Sequence, residues 1–323
     1  MPLVSVIIVN WNGAEVLPEC LESLLRLNHK EIEIIIVDNA STDNSIDIVE
    51  KTCGGRAKIV RLDKNAGFAA GMNAGFENAA GEFFATLNND MTVEPSWLNQ
   101  PIEFLRDESV GIVSCRQMNY YDRAKIDGLY HRVTKDLTLM PVGSGREFSG
   151  ELFTAPGYVI SANGGSAIIR AETARALGGY DAGFFGYMEE TDFCMRAFLR
   201  GWRCAYAPNA VVYHMDGFSF KKNRGNQYYY RERNRVWFLY KNIPAWDILT
   251  RLPYILIMEL RVIRVFLIKA KKPGLYLKAR IDALRGLCRY RLVRKENTTL
   301  FRKKRAEFYR FEKLRKIDLD YND

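Results

Sequence analysis

Blocks of unbroken apolar sequence alternate with blocks of helical period over the first ninety residues. VSVIIVN (Val4 to Asn10) is a continuous, mostly β-branched run, as expected of a strand covered on both faces. AEVLPECLESLLRL follows, with Val16, Leu17, Cys20, Leu21, Leu24 and Leu25 at helical spacing. IEIIIVD (Ile32 to Asp38) predicts a second buried strand, and a helix begins in Asp43 to Glu50. AKIVRLD (Ala57 to Asp63), AAGMNAGFENA and EFFATLNND then predict strand, helix and strand. Such alternation gives an α/β fold with a mostly parallel, Rossmann-like sheet flanked by helices. Ligands in these folds bind beyond the carboxyl ends of the strands. Asn10, Asp38, Asn39 and Asn88 to Asp90 end strands and are therefore candidates for one cleft.

From about 110 to 180 the pattern is weaker. VGIVSCRQMNY and GSAIIR are strand-like, and the stretch between them is rich in Gly and Ser. NAVVYHMDG predicts a strand ending at His214. Beyond it the chain changes character. LPYILIMELRVIRVFLIKA is about as long as a membrane span. Glu259, Arg261 and Arg264 at its centre oppose spanning and leave two expectations, a helix lying on a bilayer or a helix packed on the rest of the protein. RLVRKENTTLFRKKRAEFYRFEKLRK predicts a basic helix with little hydrophobic face.

Charge sharpens this division. Residues 1–216 carry 19 Lys and Arg against 28 Asp and Glu, whereas residues 217–323 carry 28 against 10. The chain is thus divided into 1–216, an acidic α/β domain, and 217–323, a basic and mostly helical region. An acidic part that binds an anion needs a metal or helix N-termini, and a basic part suits an anionic surface. Six cysteines are scattered without a Cys-x-x-Cys pair, which favours a reducing compartment over disulfides or zinc. The first residues show no signal-peptide pattern. The loop after the first strand, NWNGAE, is neither a dinucleotide-binding nor a P-loop motif, and none of His29, His131 and His214 accompanies a nucleophile motif.

Three constellations remain. Asp38 in IVDNAS could accept from a base N–H or a ribose hydroxyl, or simply fix a turn. In KNAGFAAGMNAG, Gly67, Gly71 and Gly75 recur every four residues, with Asn65 and Asn73 between them, giving a face for a ligand or for tight helix–sheet packing. In LNNDM, Asp90 offers one hard ligand for a divalent ion, and Asn88 adds none of the charge. Further on, Glu189, Glu190 and Asp192 cluster at a predicted helix start, where they either complement the helix dipole or supply a general base. Adjacent carboxylates raise one another's pKa. His214 could complete a metal site.

VSVIIVNWNG, IIIVDNASTDNS, NAGFAAGMNAG, LNNDM, EETDFCMR and AVVYH, in this order, resemble the family 2 glycosyltransferases over about residues 3–216, and the NxGFAxGxN and EETD elements resemble rhamnosyltransferase-like enzymes of surface polysaccharide assembly. The resemblance implies the GT-A nucleotide-diphospho-sugar transferase fold and an inverting, metal-dependent transfer. By position it implies nucleotide contacts from Asn10, Asn12, Asp38, Asn65, Gly67, Gly71, Asn73, Asn88 and Asn89. It implies a Mg²⁺ or Mn²⁺ ion on Asp90, with His214 helping, and Glu190 as base beside Glu189 and Asp192. Asn88 stands where the family's Asp-x-Asp motif has its first Asp. The donor would be dTDP-rhamnose or a UDP-hexose, and the acceptor a glycan or a polyprenyl-diphosphate-linked sugar. The basic region would dock on the inner face of the cytoplasmic membrane or form a dimer, without a nucleic-acid partner. The competing expectation is a family member that binds nucleotide sugars without turnover; a nucleotidyltransferase would need a basic Gly-rich loop that NWNGAE does not offer.

Overall fold

A computed structural model describes residues 1–149, 151–215, 224–269 and 271–312. The expected boundary at 216/217 and the end of the last basic segment lie outside the described residues.

The predicted alternation forms. β1 (Val4–Asn10), β2 (Ile32–Asp38), β3 (Ala57–Arg61) and β4 (Phe83–Leu87) are connected by α1 (Leu17–Leu25), α2 (Ser45–Cys53) and α3 (Phe68–Glu77). β1 pairs in parallel with both β2 and β4, and β2 with β3. The chain therefore reverses its direction of travel across the sheet between β1 and β4, the switch point where α/β sheets leave a crevice. After β4 come β5 (Met91–Val93), α4 (Asn99–Phe104) and β6 (Val110–Asn119). β7 (Ile126–Gly128), β8 (Tyr130–Val133), β9 (Leu139–Pro141), the single turn α5 (Glu151–Thr154), β10 (Gly157–Val159), β11 (Ser161–Ala162) and β12 (Ser166–Arg170) fill the weakly patterned stretch. α6 (Ala171–Ala176), α7 (Glu189–Leu199) and β13 (Arg203–His214) complete this part. The main sheet runs β10-β13-β6-β12-β4-β1-β2-β3, and β12 enters antiparallel to β4 and β6. A second small sheet, β11-β8-β9, escapes sequence pattern because its strands are two to four residues long.

β1 shows why a continuous apolar run is needed. Val4, Val6 and Ile8 face Leu17, Leu21 and Leu24 of α1, while Ile7 and Val9 face Ala69, Met72 and Phe76 of α3. Both faces are covered, so neither set of alternate positions can be polar.

The basic region is α8 (Arg224–Asn242), α9 (Ala245–Thr250), α10 (Leu252–Arg264), α11 (Pro273–Gly286) and α12 (Arg291–Arg310). It packs on the rest of the chain through a third core, in which Trp237, Phe238, Tyr290, Phe301 and Phe308 meet Phe184, Met195 and Phe198. The expectation that the last basic helix has little hydrophobic face is corrected: α12 buries Phe301 and Phe308 completely. Among the described residues no helix is long and apolar enough to cross a membrane. α10 ends at Arg264, and Glu259 turns inward to Arg235, Arg280 and Tyr276. Its outer positions Leu252, Leu256, Ile257 and Leu260 stay exposed.

Candidate active site

The carboxyl ends of β1, β2 and β4 meet in one hydrogen-bonded floor. Asn10 ends β1 fully buried; its Nδ2 donates to Ser45 Oγ at 2.9 Å and Ser41 Oγ at 3.2 Å, and its Oδ1 accepts from Asn89 Nδ2 at 2.9 Å. Gly13 permits this pairing, since a Cβ there would collide with both amides. Asn10 and Asn89, expected at the nucleotide, bond to one another, and Asn10 also to Ser41 and Ser45. Asn12 stands in front of them in a left-handed conformation (φ 51°) and accepts the Thr42 N–H at 2.7 Å. Asp38 accepts the Ser41 N–H at 3.2 Å, the turn-fixing role that the sequence also allowed.

The loop before α3 closes the next wall. Asn39 accepts the Ala66 N–H at 2.8 Å and donates to Asn65 Oδ1 and to the Gly67 carbonyl. Gly67 has φ 86°, and a Cβ on it would strike the Phe185 carbonyl and ring. Gly71 and Asn73 are spent elsewhere. Gly71 lies against Val9 of β1, and Asn73 exchanges two 2.8 Å hydrogen bonds with the Tyr180 backbone. For these two the structure gives packing rather than a cleft-facing position.

Asn88 is half-buried, and its side chain makes no hydrogen bond among the described residues. Asp90 is buried and placed by pairing of β5 with β13, which sets His214 opposite Met91. His214 Nε2 lies 3.4 Å from Asp90 Oδ1, and its Nδ1 lies 2.9 Å from Asp127 Oδ2. Burial opposes charge on this ring, but hydrogen bonds to Asp127 and Asp90 outweigh it and push its pKa up to about 10. Among the described residues no group of three or more His, Cys, Asp or Glu is arranged to hold a metal. Two donors on the edge of an octahedral ion stand roughly 3 Å apart, close to the Asp90–His214 separation. A carboxylate on the far nitrogen is the usual partner of a metal-binding histidine. A divalent ion on Asp90 Oδ1 and His214 Nε2 would have to displace the ring proton that Asp90 and Asp127 favour, and would take its remaining ligands from a bound diphosphate and water.

On the opposite wall α7 begins with Glu189 and Glu190. Glu189 is buried, and one of its oxygens has no hydrogen-bond partner. Burial first, and the Glu190 charge second, push its pKa well above the carboxylate range. Glu190 is the more accessible of the pair, with Gly164 backed onto its side chain. The neighbouring Gly165 carbonyl accepts the Asn88 N–H at 3.0 Å, so one short turn joins the two acidic motifs. Asp192, expected among the catalytic carboxylates, lies in a buried ion-pair cluster. It is fully buried, bonded to Lys241 at 2.9 Å, Arg196 at 2.8 Å and Asn242 at 3.0 Å. Burial opposes its charge, but Lys241 and Arg196 outweigh that and hold its pKa down at about 2.

Sequence reasoning missed Asp127, Gly164 and the contribution of α8. Asp127 carries no motif and meets His214 across 87 residues. The doubled glycine in SANGGS was the available signal for the turn.

Comparison with known proteins adds independent findings. The model of the family described as "Glycosyl transferase family 2" matches residues 5–175. Glycosyltransferase GlyG of Streptococcus pneumoniae is 28% identical over 131 residues, 40% of this chain and 42% of that protein. Succinoglycan biosynthesis protein ExoO of Rhizobium meliloti is 31% identical over 103 residues, 32% of this chain and 30% of that protein. The chain thus spans less than half the length of these curated relatives. Among solved structures, mannosyltransferase PcManGT of Pyrobaculum calidifontis, in complex with GDP-Man and Mn²⁺, is similar with a TM-score of 0.57 at 18% identity, covering 97% of this chain and 88% of that one. TarS 1-349 of S. aureus, in complex with UDP-GlcNAc, gives 0.59 at 18% identity, covering 96% and 90%.

Proposed function

The chain belongs to glycosyl transferase family 2 and has its GT-A fold, and from that premise we propose that it transfers a sugar from a nucleotide-diphospho-sugar to a hydroxyl of a glycan or lipid-linked acceptor in surface polysaccharide assembly. The observation that carries this is the joining of two unlike acidic sites by one turn. Gly164 backs onto Glu190, beside the buried Glu189, and the Gly165 carbonyl accepts the N–H of Asn88, two residues before the Asp90 that pairs with His214.

Asp38 at the end of β2, Asn12 just beyond β1 and Asn65 in the loop before α3 would meet the nucleoside, and Asn88 the ribose and diphosphate. Asp90 Oδ1 and His214 Nε2 would hold Mg²⁺ or Mn²⁺, which when bound neutralises the departing diphosphate. Glu190 accepts the proton of the acceptor hydroxyl; that oxygen forms the new bond to the anomeric carbon as the bond to the diphosphate breaks, inverting the centre. Burial, and the Glu190 charge after it, push the Glu189 carboxyl toward its neutral form, which lessens the negative charge facing the phosphates. Asp192 acts by fixing α7. The donor we favour is dTDP-rhamnose, then UDP-hexoses.

Membrane attachment belongs to the same proposal. Leu252, Leu256 and Leu260 repeat every four residues on the exposed face of α10, at 42%, 54% and 67% exposure, with Arg261, Arg264, Lys271 and Lys272 exposed nearby. That combination suits the anionic inner face of a cell membrane, where each basic residue near the surface adds about 1 kcal/mol.

The test is ligand-induced stabilisation. A panel of nucleoside diphosphates and their sugars, with Mg²⁺ or Mn²⁺, should raise the melting temperature of the wild type for at least one donor. Asp90→Ala should lose the metal-dependent part of that shift. No shift with any nucleotide would overturn the proposal.

A further inference from the structure

The peptide that leads into Glu189 is held in a shape its residues do not favour. Phe185, Tyr187 and Met188 all have left-handed backbone (φ 68°, 67° and 69°), and none is glycine. Such conformations persist only where surrounding structure over-determines them. Here the surroundings come from α8, in the region that the sequence set apart by its charge. Asn234, fully buried, donates through Nδ2 to the carbonyls of Tyr187 (2.7 Å), Gly186 (2.9 Å) and Phe184 (3.0 Å). Arg233 donates to Phe184 (2.8 Å) and Gly183 (3.1 Å). Its Nε also donates to Asn234 Oδ1 at 3.0 Å, which orients the amide with its NH₂ toward the loop. Tyr230 stacks on Phe185 with ring centroids 4.8 Å apart.

Both ends of the segment are gripped by one helix. About two turns beyond Asn234, Lys241 and Asn242 hold Asp192 inside α7. The outer edge of the loop touches the nucleotide wall: the Phe185 carbonyl accepts the Ala69 N–H at 3.2 Å, next to Gly67. The loop is therefore wedged between the wall that would carry the donor and a helix from the basic region, and α7 starts where it ends.

We propose that Asn234, supported by Arg233, is a positioning residue for transfer. It locks residues 183–188 so that Glu190 faces the donor wall, which makes α8 part of the catalytic unit. This rests on the reading of Glu190 as the base. Asn234 touches no reacting atom and acts only through that carboxylate.

The experiment compares full-length wild type, Asn234→Ala, Glu190→Gln and the double variant. It follows release of nucleoside diphosphate at saturating donor and measures nucleoside diphosphate affinity by calorimetry. Misplacing a catalytic group by about 1 Å costs roughly 10²-fold in rate, so Asn234→Ala should lose about that in kcat while nucleotide affinity is unchanged. In the Glu190→Gln background the second substitution should cost nothing more, because the group it positions is gone. A wild-type kcat in Asn234→Ala, or the same loss in both backgrounds, would overturn the proposal. Arg233→Lys, run through the same cycle, serves if Asn234→Ala does not fold. Absence of release by the wild type with every donor would count against the transfer reading alone, and hydrogen exchange then decides this proposal without turnover. Faster exchange at residues 184–190 in Asn234→Ala supports it, and unchanged exchange rejects it.

Discussion

The two walls of the proposed cleft, one assigned to the nucleotide and the other to the base, are assembled by different means. On the nucleotide wall, Asn10, Asp38 and Asn88 each sit at or one residue beyond the end of a parallel strand, and neighbouring turns complete the hydrogen bonds. On the base wall, the segment before Glu189 depends on Asn234, fifty residues beyond Phe184, and Asp192 depends on Lys241, 49 residues away. The first wall is closed by bonds within the α/β part itself, such as that between Asn10 and Asn89. The second exists only once the helical region has docked, so the basic region completes the fold of the part to which it is attached. The opposite charges of the two regions then serve contact as well as solubility, since the carboxylates at 181 and 192 meet the ammonium at 241.

Replacing Asp192 tests that dependence most severely. Asp192→Asn leaves Lys241 buried with less countercharge and should cost about 3–5 kcal/mol in urea unfolding, with loss of transfer as α7 loosens. The pH dependence has a defined sign. The folded pKa of about 2 lies below the unfolded value of about 3.9. The stabilising increment is thus complete above about pH 4 and disappears as pH falls through 2. The difference between wild type and variant should shrink over that interval, and a gap that widened there would break the comparison.

A smaller effect is expected where the two kinds of construction meet. Asp127 reaches His214 from β7, and losing such a partner typically costs 10–100-fold in metal affinity. Asp127→Asn should weaken Mn²⁺ binding in titrations followed by electron paramagnetic resonance, with the nucleoside diphosphate held constant. Unchanged affinity would place His214 outside the metal site.

The exposed face of α10 should matter least to the cleft. Leu256→Ser with Leu260→Ser should reduce flotation with anionic vesicles while leaving donor-induced stabilisation intact. Equal flotation would remove the membrane from the account and leave the cleft as described.

What could be read from the sequence follows the same division. β1, β2 and β4 and the residues at their ends were legible because a doubly covered strand is an unbroken apolar run that stops at a polar residue. The packing of Gly71 and Gly75 against Val9 and Ile7 was one of the two uses that their spacing allowed. The short strands between 120 and 165 have no period long enough to detect, and Asp127 was lost with them. Asp192 was read as one of three clustered carboxylates, with Glu190 as the base. Glu189, Glu190 and Asp192 are distinguished only by long-range partners: none for one Glu189 oxygen, the Gly164 turn for Glu190, and two cations for Asp192. The basic residues of the tail were read as suited to an anionic surface, whereas Arg233, Arg235 and Lys241 of α8 are directed into the protein.

The central claim is that Glu190 is the base of a nucleotide-sugar transfer. Its most direct test is single-turnover release of nucleoside diphosphate by Glu190→Gln beside the wild type, using the donor found by the stabilisation panel. The account predicts a rate lower by about 10²–10⁴-fold with donor affinity unchanged. Release at the wild-type rate would contradict it.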